Sequence, residues 1–199
     1  GAVETLVDLV RGFSPSWRPG PKPARQAMIE ELLSTPLGVS MLACVDDINV
    51  ESRASLLHGL MLQELQRAAE ADRISKPIQA RFHRYGFDVL GVMAWSMLRQ
   101  QRTTLTADDF AWAEQHLRLP VEAMDDLQCA IQDLGFVEIV GPGQWEFSHK
   151  TFSEHCAAQA IARGKVEWEP LLVAVGEPAI NEITINLGGV AEWATRVIS

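Results

Sequence analysis

Between Gly135 and Ala162 the sequence GFVEIVGPGQWEFSHKTFSEHCAAQAIA changes its periodicity twice, which leaves little freedom in how the chain around it can fold. Phe136 to Val140 alternates around Glu138 as a half-buried strand does. Gly141-Pro142-Gly143-Gln144 is turn chemistry, and Trp145 to His149 supplies the returning strand. Helical spacing follows: Thr151 and Glu154 form an S/T-x-x-E capping-box pattern, with Phe152, Cys156, Ala157, Ala160 and Ile161 recurring at helical intervals. His149 falls where the strand hands over to the helix, beside backbone N–H groups that have no partner inside the helix. A helix start of this kind favours an anion.

The preceding segments read as helices. Thr106 to Leu117 has Thr106 as N-cap, with Asp108 and Asp109 beside the positive end of the helix dipole. Leu119-Pro120 breaks the chain, and Val121 to Leu134 is helical through Met124, Leu127, Ile131 and Leu134, with Gly135 as its stop. Helix, helix, hairpin and helix in that order is a winged-helix arrangement. Further upstream, Ser52 or Arg53 to about Ala71 is amphipathic, and Ile78 to Leu98 repeats the pattern, with Gly86 and Gly91 arguing against an unbroken helix.

At the amino-terminal side, Val3 to Val10 resembles a helix end, and Ser14 to Pro23 is too rich in proline for regular structure. A helix resumes at Ala24 and is broken at Thr35-Pro36; Pro36 then opens an apolar helix, Leu37 to Val45. After Gly164, Trp168 to Gly176 and Ile180 to Ile198 are weaker helices, the second interrupted by Gly188-Gly189. The expected fold is mainly α: a helical subdomain at 1–72, a winged helix with one small β-hairpin at 73–164, and the start of a helical scaffold at 165–199.

Charge narrows the partners. A formal net charge of −9 argues against general binding to nucleic acid or anionic membrane, both of which reward Lys and Arg. The helix Val121 to Leu134, which would read the major groove, carries Glu122, Asp125, Asp126 and Asp133 and no basic residue, so specific DNA binding is not expected. No apolar run approaches the roughly 20 residues that span a bilayer, and the opening residues show no signal-peptide pattern. Cys44, Cys129 and Cys156, three in number and widely spaced, fit small buried hydrophobes in a reducing compartment. A cytoplasmic location and no membrane partner are expected.

Each candidate has a plainer alternative. His149 either contacts a ligand or is a capping or core histidine whose ring satisfies a local backbone group, and Pro36 either contacts a ligand or merely starts a helix. His155 and Cys156 suit helix packing better than metal, because structural zinc needs more ligands at suitable spacing. His58, His83 and His116 fit partly exposed helix positions. Trp17, Trp95, Trp112, Trp145, Trp168 and Trp193 fit core anchors, since a base-stacking groove would interleave basic residues. Asp108-Asp109 fits helix-start chemistry, and Asp125-Asp126 a solvated face. No nucleophile–base pair or catalytic carboxylate pair is identifiable, so no catalytic residue is assigned.

The run Phe147-Ser148-His149-Lys150-Thr151-Phe152-Ser153-Glu154-His155-Cys156-Ala157-Ala158 resembles the F-x-H-x-[ST]-F-Q-E-[FY]-x-A-A signature closing the winged helix of NACHT-type STAND NTPases. Leu32-Leu33-Ser34-Thr35-Pro36-Leu37 and its continuation to Cys44 is similar to the helical-domain proline segment of that family, and the resemblance spans about 1–164. Ser153 stands where the family has Gln, and His155 replaces an aromatic residue. The resemblance implies that His149 hydrogen-bonds the β-phosphate of ADP and that Pro36 packs by the nucleotide. It also implies ADP/ATP with Mg in a full-length parent, a P-loop nucleotide-binding domain as partner, self-association on activation, and a role in innate-immune or antiphage signalling. No G-x-x-x-x-G-K-[ST] occurs in the sequence, so hydrolysis is not expected of this chain by itself. The alternative is a winged-helix transcription regulator or a protein-interaction adaptor without nucleotide.

Overall fold

The computed structural model of the protein describes Val39 and residues 53–120 and 122–167. Internal contacts divide the chain into Gly1–Leu60 and Met61–Ser199, and the elements that follow belong to the second unit except for the first turns of α1. Pro36, Cys44, Trp17, Trp168, Trp193, and the helices expected before 53 and after 167 lie outside the described residues.

The described order is α1 (Arg53–Glu70), α2 (Lys76–Arg81), a π-helical turn (Phe82–Gly86), α3 (Phe87–Arg99), β1 (Thr104–Thr106), α4 (Ala107–Leu117), α5 (Ala123–Asp133), β2 (Val137–Gly141), β3 (Gln144–Phe147) and α6 (Lys150–Ala162). The described residues are mainly helical, with one small antiparallel sheet in the order β1-β3-β2. Helix, strand, helix, helix and a returning hairpin make this part winged-helix-like. The sheet has a third strand beyond the expected hairpin: β1 pairs with β3 through Thr104↔Glu146, Leu105↔Trp145 and Thr106↔Gln144.

The helix expected over Ile78 to Leu98 starts two residues earlier, at Lys76, after Ser75 as N-cap. It is continuous but not uniform. At the π turn the Phe82 ring lies so close over Gly86 that a Cβ there would sit 2.6 Å from it. Phe82 is fully buried and meets Phe87 edge-on at 5.4 Å and Phe136 at 6.0 Å, so the turn seats an aromatic in the core. Gly91 serves a different purpose. Its missing Cβ would lie 2.7 Å from the Cys156 carbonyl oxygen and 2.8 Å from Ala160 Cβ, so it sets how closely α3 and α6 approach.

That pair of helices is the centre of the fold. From Val89 to Leu98 every residue of α3 is buried, as are Thr151 and Ser153–Ala160 of α6. A helix apolar on all sides belongs inside. The small side chains of Ala157, Ala158 and Ala160 allow the close approach. Burial pushes the Cys156 thiol up to about 12, which keeps it protonated and inert.

Four sequence expectations are corrected. Cys129 is exposed, not a buried hydrophobe. Trp95 and Trp145 are core residues, whereas Trp112 is 37% exposed and stacks on His116 at 4.8 Å. Asp125 is solvated, but Asp126 is half-buried and ion-paired with Arg81. The alternation expected through Phe136 to Val140 gives way to burial at Phe136 and Val137 only, because the outer half of β2 projects past the core and leaves Ile139 69% exposed.

The loop from α3 into α4 is tied by one carboxylate. Asp109 accepts from Arg102 Nη2 at 2.7 Å and Nη1 at 2.9 Å, from Thr106 N–H at 2.8 Å and from Ser96 Oγ at 3.1 Å. With the Thr106 side chain it completes a capping box in which Asp takes the usual Glu position. Burial by itself would push this carboxyl up. The Arg102 and Thr106 hydrogen bonds, the Arg102 charge and the Ser96 hydroxyl outweigh it and hold Asp109 below its ordinary range.

Four expectations follow. Asp109→Ala, which strands Arg102 without its partner, should cost about 3 kcal/mol or more in urea unfolding. Because the folded pKa of Asp109 lies below its unfolded value of about 3.9, its stabilisation is complete above that pH and is lost as pH falls through the folded value; Asp109→Asn should flatten the acid limb of the stability profile there. Gly91→Ala should lower stability by about 1–3 kcal/mol through overpacking. Gly59→Ala, whose Cβ meets nothing within 4 Å, is the control and should gain up to about 1 kcal/mol of helix propensity.

Candidate functional site

The seam between β3 and α6 is built from the sheet outward. Central strand β3 is held on one side by β1 and on the other by β2, with Val137↔Phe147 buried at its exit. Ser148 follows, its N–H donating to Phe136 O at 3.2 Å and its hydroxyl to the same oxygen at 3.4 Å. The backbone then turns at His149, which stays extended at φ −153° and ψ 138° and is the N-cap of α6.

The capping box expected at Thr151 and Glu154 is therefore displaced. Thr151 lies inside the first turn and is buried, as is Glu154. The imidazole does the capping: Thr151 N–H donates to His149 Nδ1 at 3.1 Å. Phe152 N–H donates to His149 O at 2.9 Å, and Ser153 Oγ donates to Lys150 O at 2.7 Å. One of the N–H groups that sequence offered to an anion is thus already satisfied by the side chain expected to assist it.

This cap fixes a tautomer. A neutral imidazole has one donor and one acceptor nitrogen, so an Nδ1 that accepts leaves the proton on Nε2. The residue is exposed. His149 consequently presents an N–H donor at the surface while its other nitrogen anchors the ring to the helix. Lys150 beside it is 60% exposed and lies 3.6 Å from Glu154.

A cleft of about 290 Å³ adjoins this seam, lined by Lys150 and Ser153 of α6, Glu146 and Phe147 of β3, and Arg102 with its neighbours. His149 is not among its walls. Its two cations are already matched, Arg102 by Asp109 and Lys150 by Glu154, so the cleft by itself carries no excess of positive charge. Pro36, the second site residue expected, lies outside the described residues.

The other candidates fall where packing puts them. His155 is buried in α6, its Nε2 2.9 Å from Gln159 Nε2. His116 is exposed and its Nε2 lies 2.6 Å from Lys165 O. Among the described residues no group of three or more His, Cys, Asp or Glu is placed to hold a metal ion. The exposed side of α5 carries Glu122, Asp125 and Asp133, which opposes phosphate. Among the described residues no helix is long and apolar enough to cross a membrane. The plainer alternative for His149, a ring that satisfies a local backbone group, is what the structure shows; Thr151 drew the capping-box expectation because His lies outside the Ser/Thr/Asp/Asn set that signals a cap.

No family model matches the chain, and no curated protein matches it.

The cap is testable without a ligand. His149→Ala should cost about 1 kcal/mol in urea unfolding, whereas His149→Asp, which can accept from the same N–H, should hold stability within about 0.5 kcal/mol of the parent.

Proposed function

We propose that this chain is the regulatory, nucleotide-sensing part of a NACHT-type STAND signalling protein, in which His149 contacts the β-phosphate of ADP held by a P-loop domain. The observation that supports this best is the tautomer: with Nδ1 committed to Thr151 N–H, the exposed Nε2–H is a donor of the kind a phosphate oxygen requires. The match of Phe147, His149, Thr151, Phe152, Glu154, Ala157 and Ala158 to the family signature gives the reading its name.

In this proposal Mg and most phosphate contacts come from the P-loop domain, and this chain performs no hydrolysis of its own. The bound diphosphate joins two domains through His149, and Pro36 packs by the nucleotide. Loss of ADP or its exchange for ATP removes a contact that favours the closed arrangement. Such a ligand shifts the equilibrium only by its differential affinity for the two states. Release then exposes surfaces for self-association, in a cytoplasmic protein of innate-immune or antiphage defence.

The adaptor alternative draws support from a different feature, the exposed Ile139 and Val140 on the outer strand β2. The regulator alternative draws none from α5, whose exposed face is acidic.

The test uses the polypeptide in which this segment accompanies a P-loop domain. His149→Asp keeps an acceptor for the cap but sets a carboxylate against the phosphate. It should accelerate ADP release at least about tenfold, as expected for a lost hydrogen bond to a charged group. Unchanged ADP retention in this variant, with unaltered folding, would sink the proposal. A salt-dependent gel shift with duplex DNA separates the regulator alternative: binding no stronger than to a random duplex is expected.

A further inference from the structure

A cleft of about 680 Å³ opens between the C-terminal half of α3 and the first turns of α4, and neither His149 nor Lys150 lines it. Its volume falls within the roughly 300–1,000 Å³ typical of small-molecule sites. Trp95 and Arg99 are one turn apart on α3, and Asp108 and Trp112 are one turn apart on α4, so each helix offers an indole and a charge on the same face. The charges have opposite sign. The Arg102–Asp109 ion pair also lines the cleft.

The state of these groups separates them. Arg102 and Asp109 are engaged with each other and with the backbone of Thr104 and Thr106. Arg99 and Asp108 are exposed, and among the described residues neither side chain has a hydrogen bond or an ion pair. Helix dipoles reward a cation at the end of α3 and an anion at the start of α4, which accounts for their signs. The dipoles do not account for Trp112 being left 37% exposed on the wall of the cleft, whereas Trp95 is buried in the core behind it.

We infer that this cleft binds a small aromatic zwitterion of the aromatic amino-acid class. The ring lies against the exposed indole of Trp112, with the buried Trp95 closing the wall behind it, where offset or edge-on contact is favourable. The carboxylate pairs with the Arg99 guanidinium, which is shaped for bidentate recognition. The ammonium pairs with Asp108, and the nearby indoles favour a cation as well. Net charge decides the class: two guanidiniums, Arg99 and Arg102, stand against two carboxylates, Asp108 and Asp109. A phosphorylated ligand would meet both carboxylates, and a dication both guanidiniums. A ligand neutral overall, with separated charges, meets neither penalty. This inference does not rest on the nucleotide-sensing proposal.

The test is isothermal titration of the 199-residue chain with L-phenylalanine and L-tryptophan, beside their carboxamides and N-acetyl derivatives. The free amino acids should bind, and blocking either charge should weaken binding at least about tenfold. Arg99→Gln should abolish the preference for carboxylate over carboxamide, and Asp108→Asn the preference for ammonium over N-acetyl. Both positions are exposed and make no hydrogen bond to the Arg102–Asp109 pair, so circular dichroism should show a folded protein whose stability lies within about 1 kcal/mol of the parent, the most that the helix dipoles contribute. Trp112→Ala should weaken every form alike. No heat up to about 5 mM ligand, equal affinity for the blocked forms, or preferences that survive in Arg99→Gln and Asp108→Asn would each overturn the inference.

Discussion

The carboxylate of Asp109 ties together four pieces of chain at the turn from α3 into α4. Ser96 comes from α3, Arg102 from the loop, Thr106 from the end of β1, and Asp109 itself from the first turn of α4. A buried carboxylate is costly in isolation, and here every bond it accepts offsets that cost. The consequence extends to the far side of the sheet. Thr106 is also the residue of β1 paired with Gln144 at the start of β3, and β3 runs to the seam where His149 begins α6. A charge pair at one helix start thus sets the strand that positions the imidazole at another.

The second constraint is steric. Helices α3 and α6 bury almost their whole lengths against each other and their neighbours, and their separation is set by the absence of a side chain at Gly91. A helix with no exposed side for most of its course is poorly suited to bending, because any shift must move a close-packed interior. A ligand that engages His149 therefore acts on a rigid element joined to the core, not on a loop. This is the mechanical basis on which a phosphate contact could be felt across the winged helix, in the nucleotide-sensing proposal.

Much of the architecture was legible. Periodicity located α1, α4, α5 and α6 within a few residues, and Gly135, with φ +70°, ends the segment as glycine chemistry demands. The misses have definite causes. Strand β1 is three residues, Thr104–Thr106, too short to show alternation, and it exists because β3 offers it an open edge. Thr151 looked like the cap because its side chain suits the role, yet the chain leaves β3 two residues too early for it. Trp112 is apolar and large, but its position on α4 faces outward beside His116. Asp108 and Asp109 both read as helix-start carboxylates, only Asp109 being at capping-box distance from Thr106, and the fold alone sends Asp109 to Arg102 and leaves Asp108 exposed.

The sequence by itself determined the helical class, the hairpin followed by a helix, and a histidine at their junction, because these follow from local periodicity and turn chemistry. Tertiary structure alone decided which nitrogen of His149 is the donor, which of two adjacent aspartates is buried, and that two tryptophans and two opposite charges share one cleft. Those outcomes depend on residues brought together from different elements, and local pattern carries no information about which partner a polar group will meet once packing has chosen its neighbours.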